Sequence, residues 1–78
     1  MKASEIKVGK TYRNRGKGTT LRHVIGIGDE HKPHDEHNGI STTNEPGVQF
    51  FTSRNGEIVA HGTLYLSSFA KWAGSEVD

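Results

Sequence analysis

Three histidines spaced three residues apart, His31, His34 and His37, form the densest group of potential metal ligands in this sequence. Carboxylates lie close to them in the chain, at Asp29, Asp35 and Glu36. Imidazole and carboxylate groups together suit zinc, nickel or copper ions. Pro33 disfavours the helix that would bring the three imidazoles to one side. The segment therefore predicts a hydrophilic loop that contains histidines, with a metal-binding loop as the alternative, and no resident cofactor is expected.

Basic residues dominate the first part of the chain. Residues 1–22 contain seven lysines and arginines and one acid, Glu5. A predicted turn is flanked by Tyr12 and by four of these cations, Arg13, Arg15, Lys17 and Arg22. A basic hairpin with an aromatic neighbour can follow phosphates and stack on bases. These residues are therefore candidate partner-binding residues, and the alternative is a solvated charged face.

An acidic segment in the middle of the chain argues against bare nucleic acid as the partner. It contains Asp29, Glu30, Asp35 and Glu36, which would repel phosphates if the segment folds near the basic turn. The isoelectric point of about 8.1 is also below the ~9 typical of dedicated nucleic-acid-binding domains. The chain predicts a surface of two signs, on which the basic turn and the acidic loop both contact a protein or nucleoprotein.

Motifs for catalysis or nucleotide binding are incomplete. The chain has no cysteine, and its serines lack a recognisable nucleophile elbow. Gly9-Lys10-Thr11 has Ser4 where a phosphate-binding loop needs its first glycine. Gly26-Ile27-Gly28 has His31 where a dinucleotide-binding fingerprint needs its third glycine, and it is better interpreted as a strand end. No catalytic residue is assigned, and the protein is expected not to be an enzyme.

The elements that position these residues belong to one small domain, since the chain has 78 residues. Its hydrophobic content of 31% is below the usual ~45–50%, so the core must be small. No apolar run approaches the ~18 residues of a transmembrane helix, and the N-terminal residues lack the apolar region of a secretion signal. A cytoplasmic protein without membrane contact is therefore expected.

Strand signals cover much of the chain outside the acidic segment. Alternation predicts strands over residues 19–27, 48–52 and 57–66. In the first strand, one face should carry Leu21, His23, Ile25 and Ile27, and the other Thr20, Arg22 and Val24. Asn55-Gly56 between two apolar runs predicts a hairpin. Phe50 and Phe51 should point to opposite faces, so one of them is a candidate contact outside the core. Gly62 is expected to mark a bulge or bend.

Polar segments and one helical turn complete the organisation. Residues 28–47 predict a long polar loop, functional or mobile. Residues 67–74 predict a short helical turn, begun by a serine cap and ended by Gly74 in a left-handed conformation. An apolar stripe on this turn should pack on the sheet, through Leu66, Phe69, Trp72 and Ala73. Residues 75–78 are expected to be a frayed tail.

Together these signals predict a mainly β fold, a small SH3-like antiparallel barrel with a short C-terminal helical turn and a long polar loop. Residues 5–14, 22–28 and 62–73 also resemble small uncharacterised proteins of bacteriophages and prophages, and the first of these segments resembles SH3-like barrels in general. The resemblance implies a phage accessory protein made in a bacterial cytoplasm. Such proteins commonly bind a host machine, for example a CRISPR, restriction or transcription complex.

The function expected from the sequence is therefore stoichiometric binding to a host protein or nucleoprotein. Two alternatives remain: a small nucleic-acid-binding barrel that uses the basic N-terminal hairpin, and a metal-binding histidine loop. The resemblance supplies no catalytic or ligand residues, and the oligomeric state stays open.

Overall fold

A computed structural model of the chain describes residues 1–14, 19–31 and 45–77. In these ranges the protein is mainly β, as predicted. Its elements are a 3₁₀ turn (Ala3–Glu5), β1 (Thr11–Asn14), β2 (Thr20–Gly28), a second 3₁₀ turn (Asp29–His31), β3 (Gly47–Arg54), β4 (Glu57–Tyr65), α1 (Leu66–Trp72) and β5 (Ala73–Val77).

The five strands form one antiparallel sheet in the order β4-β3-β2-β1-β5. β2, β3 and β4 follow one another as a meander, and β5 returns to pair with β1 after α1. β4 and β5 are the two edge strands, and no ladder among the described residues joins them. The sheet is therefore open, and the closed barrel expected from the sequence is not confirmed.

The hairpin between β3 and β4 confirms the Asn-Gly prediction. Asn55 has φ 54° and Gly56 has φ 84°. Positive φ at both central residues is the geometry of a type I′ turn, whose twist matches that of the flanking strands. The sequence signal works here because the turn is set by local backbone sterics.

Replacing Gly56 by alanine tests this turn. A Cβ at Gly56 would contact no atom within 4 Å, so the substitution acts on backbone strain alone. We expect the free energy of unfolding to fall by about 1–2 kcal/mol in urea titrations. Asn55→Gly is the matched control and should change it by less than about 0.5 kcal/mol. Equal stability of both variants would contradict the assigned turn geometry.

A bulge in β2 changes which side chains face the core. Val24 pairs with Phe50 and Gly26 pairs with Gln49, so Ile25 is an extra residue without a partner on β3. After the bulge the alternation is reversed, and Ile27 packs against the core. Ile25 itself is 46% exposed. The prediction that Ile27 shares a face with His23 and Ile25 is therefore wrong, because unbroken alternation gives no sign of an inserted residue.

The core lies on the face of the sheet that α1 covers, which we call the inner face. Phe69 of α1 is fully buried, and its ring packs edge-on against Tyr12 (5.7 Å between centroids) and Phe50 (5.3 Å). The other buried apolar residues are Ile6, Val24, Val48, Ala70 and Ala73. Leu66 and Trp72 are partly buried against them. The predicted apolar stripe of the helical segment is confirmed.

The ends of α1 differ from the prediction. Tyr65 is the N-cap and supplies no side-chain cap. Instead, the backbone N–H and the hydroxyl of Ser67 both donate to Glu45 Oε1, at 3.2 and 2.6 Å. The helix passes directly into β5 through an extended Ala73, so Gly74 is a strand residue and not a left-handed cap.

The last strand shows that the prediction of a frayed tail is wrong for residues 75–77. Residues 75–77 belong to β5 and pair with β1, with Glu76 opposite Tyr12 and Val77 opposite Thr11. The segment was expected to be frayed because it is polar and lacks alternation. Pairing with a distant strand supplies the order that its own residues do not signal.

Gly62 is not the site of a bulge. It pairs with Phe50, and the irregularity of β4 lies instead opposite Thr52 and Ser53. A Cβ at Gly62 would lie 3.2 Å from Phe50 Cζ. A side chain there would need the ring of Phe50 to shift by a few tenths of an ångström, so glycine suits this close approach.

Candidate binding surface

The face of the sheet opposite α1, which we call the outer face, carries a row of polar and aromatic side chains. Thr11, His23, Phe51 and His61 are aligned in register across β1, β2, β3 and β4. The His23 ring stacks on Phe51, with 4.4 Å between centroids and 10° between planes. The ring of His61 lies 6.2 Å beyond Phe51. The prediction that only one of the adjacent phenylalanines enters the core is confirmed, since Phe50 is buried and Phe51 lies on this outer row.

His23 is held in place by two hydrogen bonds. Its Nδ1 is hydrogen-bonded to Thr11 Oγ1 at 2.8 Å and its Nε2 to Ser53 Oγ at 2.7 Å. The chain of three groups resembles a nucleophile, base and orienting residue, but the orienting group is an uncharged hydroxyl. Thr11 does not stabilise an imidazolium as a carboxylate does. The contacts therefore tie three strands together and fix the ring on which Phe51 stacks.

Apolar side chains surround this row without a covering element among the described residues. Ile25 is 46% exposed, Ile58 60% and Val59 54%. Ile58 pairs with Ser53, two residues beyond Phe51 on β3. Within the strands, Arg13 carries the charge on this face, because the other charged strand residues alternate to the inner face: Arg22, Arg54, Glu57 and Glu76. Ile25, Phe51 and Ile58 thus form an apolar patch beside the polar side chains of the row, and we call this patch the apolar centre of the outer face.

The second 3₁₀ turn places negative charge at one end of the outer face. A Cβ at Gly26 would overlap the ring of His31, and a Cβ at Gly28 would lie 2.6 Å from Glu30 Oε2. The two glycines therefore let this turn fold down onto the sheet. His31 Nε2 lies 3.5 Å from Glu30 Oε1. Asp29 and Glu30 are exposed at this end.

Positive charge lies at the opposite end. Arg13 is exposed and pairs with Leu21 near the start of β2, whereas Asp29 follows the last residue of β2. β2 has nine residues, and at about 3.3 Å per residue its ends lie roughly 25 Å apart. The outer face therefore has an apolar centre between a basic end and an acidic end.

Two predicted contact residues lie away from this face. Tyr12 is fully buried; its hydroxyl donates to the Glu5 carbonyl at 3.0 Å and accepts from the Lys7 N–H at 2.7 Å. Burial raises the pKa of the Tyr12 phenol. Arg22 lies on the inner face with its guanidinium over two aromatic rings. The structure therefore separates Arg13 from Tyr12 and Arg22.

Several predicted site residues lie outside the described residues: Arg15, Lys17, His34, Asp35, Glu36 and His37. Of the proposed metal ligands, only His31 is described, and it lies over Gly26. In the ranges 1–14, 19–31 and 45–77, no group of three histidine or acidic side chains is placed to hold a metal ion.

Sequence reasoning missed the exposed apolar pair Ile58 and Val59. A signal was present: β4 has no charged residue from Ile58 to Tyr65, which is unusual for an edge strand. His23 was interpreted as a sheet residue with hydrogen-bond partners, and this is confirmed.

No described helix has the length and apolar character needed to cross a membrane. Comparison with family models, curated proteins and solved structures finds no match to the chain.

Proposed function

We propose that this protein is a non-enzymatic binding module that associates stoichiometrically with another protein through its outer face. The observation that carries the proposal is the apolar centre of that face, formed by Ile25, Phe51 and Ile58, which no described element covers. A small protein with little hydrophobic content gains stability by burying such residues, so a cluster left exposed is typical of an interaction site. The rigid stack of His23 on Phe51 presents this cluster with little conformational freedom to lose on binding.

The charges favour a protein over bare nucleic acid as the partner. Phosphate binding needs cations along the contact surface. In the part of the chain that the structure describes, the strands of the outer face offer Arg13 at one end and an apolar centre, and the carboxylates of Asp29 and Glu30 lie at the other end. A partner protein would match this arrangement if its surface had an apolar centre, acidic groups facing Arg13 and basic groups facing Asp29 and Glu30.

The free edge of β4 extends the same surface. β4 has nine residues, and no strand among the described residues pairs with its second edge. From Ile58 to Tyr65 it lacks the charged residues and prolines that commonly protect an edge. An extended segment of the partner could add to the sheet there while its side chains contact Phe51 and Ile58.

The context of this function follows from the resemblance to phage accessory proteins. We propose a host protein or nucleoprotein in the bacterial cytoplasm as the target, with CRISPR, restriction and transcription complexes as candidates. We also propose an SH3-like barrel as the finer description of the fold. The strand order and the short helix before β5 support that description.

Ile58→Lys is the variant that tests the contact surface. The side chain is 60% exposed, so the substitution should leave folding intact while placing a charge in the apolar centre. We expect proteins captured from a nuclease-treated bacterial lysate by the wild-type chain to be lost, with affinity falling by at least about tenfold. The measurement is quantitative pull-down followed by mass spectrometry.

Val8→Lys is the matched control, since Val8 is 56% exposed and lies between the first 3₁₀ turn and β1. Proteins retained by wild type and Val8→Lys but lost with Ile58→Lys support the proposal. The same bands in all three samples, or in none, would contradict it. Retention of nucleic acid by the wild-type chain without nuclease, reduced in Arg13→Met, would indicate a phosphate-bearing partner instead.

A further inference from the structure

Arg22 is a half-buried cation whose charge no other described residue neutralises. Its guanidinium carbon lies 4.2 Å from the centroid of Trp72 and 4.8 Å from that of Phe50. Burial lowers the pKa of Arg22, and no carboxylate contribution opposes that shift. With the described residues, the side chain of Arg22 makes no hydrogen bond or ion pair. The two rings attract the cation, but a ring face does not replace the hydrogen bond that the buried Nε–H loses on leaving water.

The orientation of the guanidinium can be inferred from which nitrogen is buried. Nε is the one buried side-chain nitrogen or oxygen without a hydrogen-bond partner in the described ranges. The two terminal nitrogens are not buried without a partner in this way. Because they also make no hydrogen bond with described residues, they face solvent. A ligand therefore meets the end of the fork formed by these two nitrogens.

The neighbouring side chains leave an approach to this end. Arg22 is flanked in register by Tyr12 on β1 and Thr52 on β3, and Thr52 is followed by Ala60 on β4. Thr52 and Ala60 are short, and Ala60 is exposed at the sheet edge. Among the described residues, only short side chains lie between the β4 edge and Arg22, with Trp72 and Phe50 beside it.

We propose that Arg22, Trp72 and Phe50 form a binding site for a carboxylate group. A carboxylate pairs with the two terminal nitrogens in the plane of the guanidinium, and a flat ion pair suits a position beside flat aromatic rings. A phosphate carries a second charge, and the other described arginine of the inner face, Arg54, already donates to Thr20 Oγ1 at 3.5 Å. The site lies on the face opposite the proposed protein-contact surface, so the two proposals can fail independently.

The test uses the fluorescence of Trp72, which is the single tryptophan of the chain. Sodium acetate is titrated against sodium chloride at constant ionic strength, because salt alone screens charges. One charge-assisted pair implies a dissociation constant of about 10–100 mM. We expect a saturable change in Trp72 emission with acetate. The change should be absent in Arg22→Met and unaltered in Arg13→Met, whose arginine lies exposed on the outer face.

A second measurement uses the wild-type chain, so that the test remains valid if Arg22→Met does not fold. In the wild-type chain, the ¹⁵N–¹H resonance of Arg22 Nε should move with acetate, and that of Arg13 should not. An acetate response that persists in Arg22→Met, or no response of either probe up to about 0.2 M acetate, would overturn the proposal. Tighter binding of inorganic phosphate than of acetate would overturn the assignment to carboxylate.

The source of the carboxylate is distinguished with two peptides, acetyl-Gly-Glu-Gly-amide and acetyl-Gly-Gly-Gly with a free C-terminus. A response to the first alone identifies an acidic side chain as the ligand, and a response to the second alone identifies a chain terminus. A response to neither peptide at concentrations where acetate saturates would overturn the assignment to protein carboxylates.

Discussion

Phe69→Ala is expected to lower the free energy of unfolding by about 3–5 kcal/mol. Phe69 has no exposed surface, and its ring contacts Tyr12, Phe50 and Trp72 with centroid distances of 5.7, 5.3 and 5.6 Å. Truncating such a residue costs about 3–5 kcal/mol, because burial is lost and a cavity remains. A domain of 78 residues has a free energy of unfolding of about 4–12 kcal/mol. The loss thus removes a large part of the stability.

The matched control is Phe51→Ala, the same substitution on the outer face. Phe51 is half-buried, and its main described contact is the stacked ring of His23. We expect it to lose only about 1–2 kcal/mol. Urea titration followed by circular dichroism measures both variants. Similar unfolding midpoints for the two variants would mean that α1 does not organise the core.

Features set by local chemistry were predictable from the sequence. The Asn55-Gly56 turn follows from backbone sterics, and the opposite placement of Phe50 and Phe51 follows from the period of a strand. The stripe that buries Phe69 follows from helical spacing. In each case the information lies within a few consecutive residues.

Features set by contacts between distant parts of the chain were not predictable from the sequence. Pairing of β5 with β1 joins residues far apart in the chain, such as Thr11 and Val77. The residues of β5 do not alternate between apolar and polar types, so the sequence does not predict this strand. The bulge at Ile25 cannot be recognised in the sequence, because the pattern of apolar residues continues without a break on both sides of it. Its consequence, the burial of Ile27, depends on the register with β3.

The candidate site contains one feature that the sequence could have predicted and one that it could not. Alternation already placed Arg22 on the same face as Val24, which is a core residue, so the separation of Arg22 from Arg13 could have been deduced. The stacking of Arg22 on Trp72 could not, because it depends on how α1 packs on the sheet. A count of basic residues along the chain therefore overstates the basic surface that they form.

Tyr12→Phe is expected to destabilise the domain by about 1–3 kcal/mol at neutral pH. The substitution keeps the buried ring and removes only the hydroxyl. That hydroxyl donates to the Glu5 carbonyl and accepts from the Lys7 N–H, so it closes the segment before β1. Both backbone groups lose this partner in the variant. Thr63→Val, which removes a hydroxyl from an exposed residue of β4, is the control and should cost less than half as much.

The difference between wild type and Tyr12→Phe should also depend on pH, and the sign follows from burial. Burial holds the pKa of Tyr12 above its ordinary value of 10.0, so the folded state keeps this proton at a pH where the unfolded state loses it. The stability supplied by the neutral phenol is complete below about pH 10 and is lost as pH rises through the raised pKa. Wild type should therefore lose stability between about pH 9 and about pH 11 more steeply than Tyr12→Phe. Urea titrations of both chains across that range measure the effect. A stability difference that stays constant with pH would show that the Tyr12 hydroxyl is accessible to water in the folded protein.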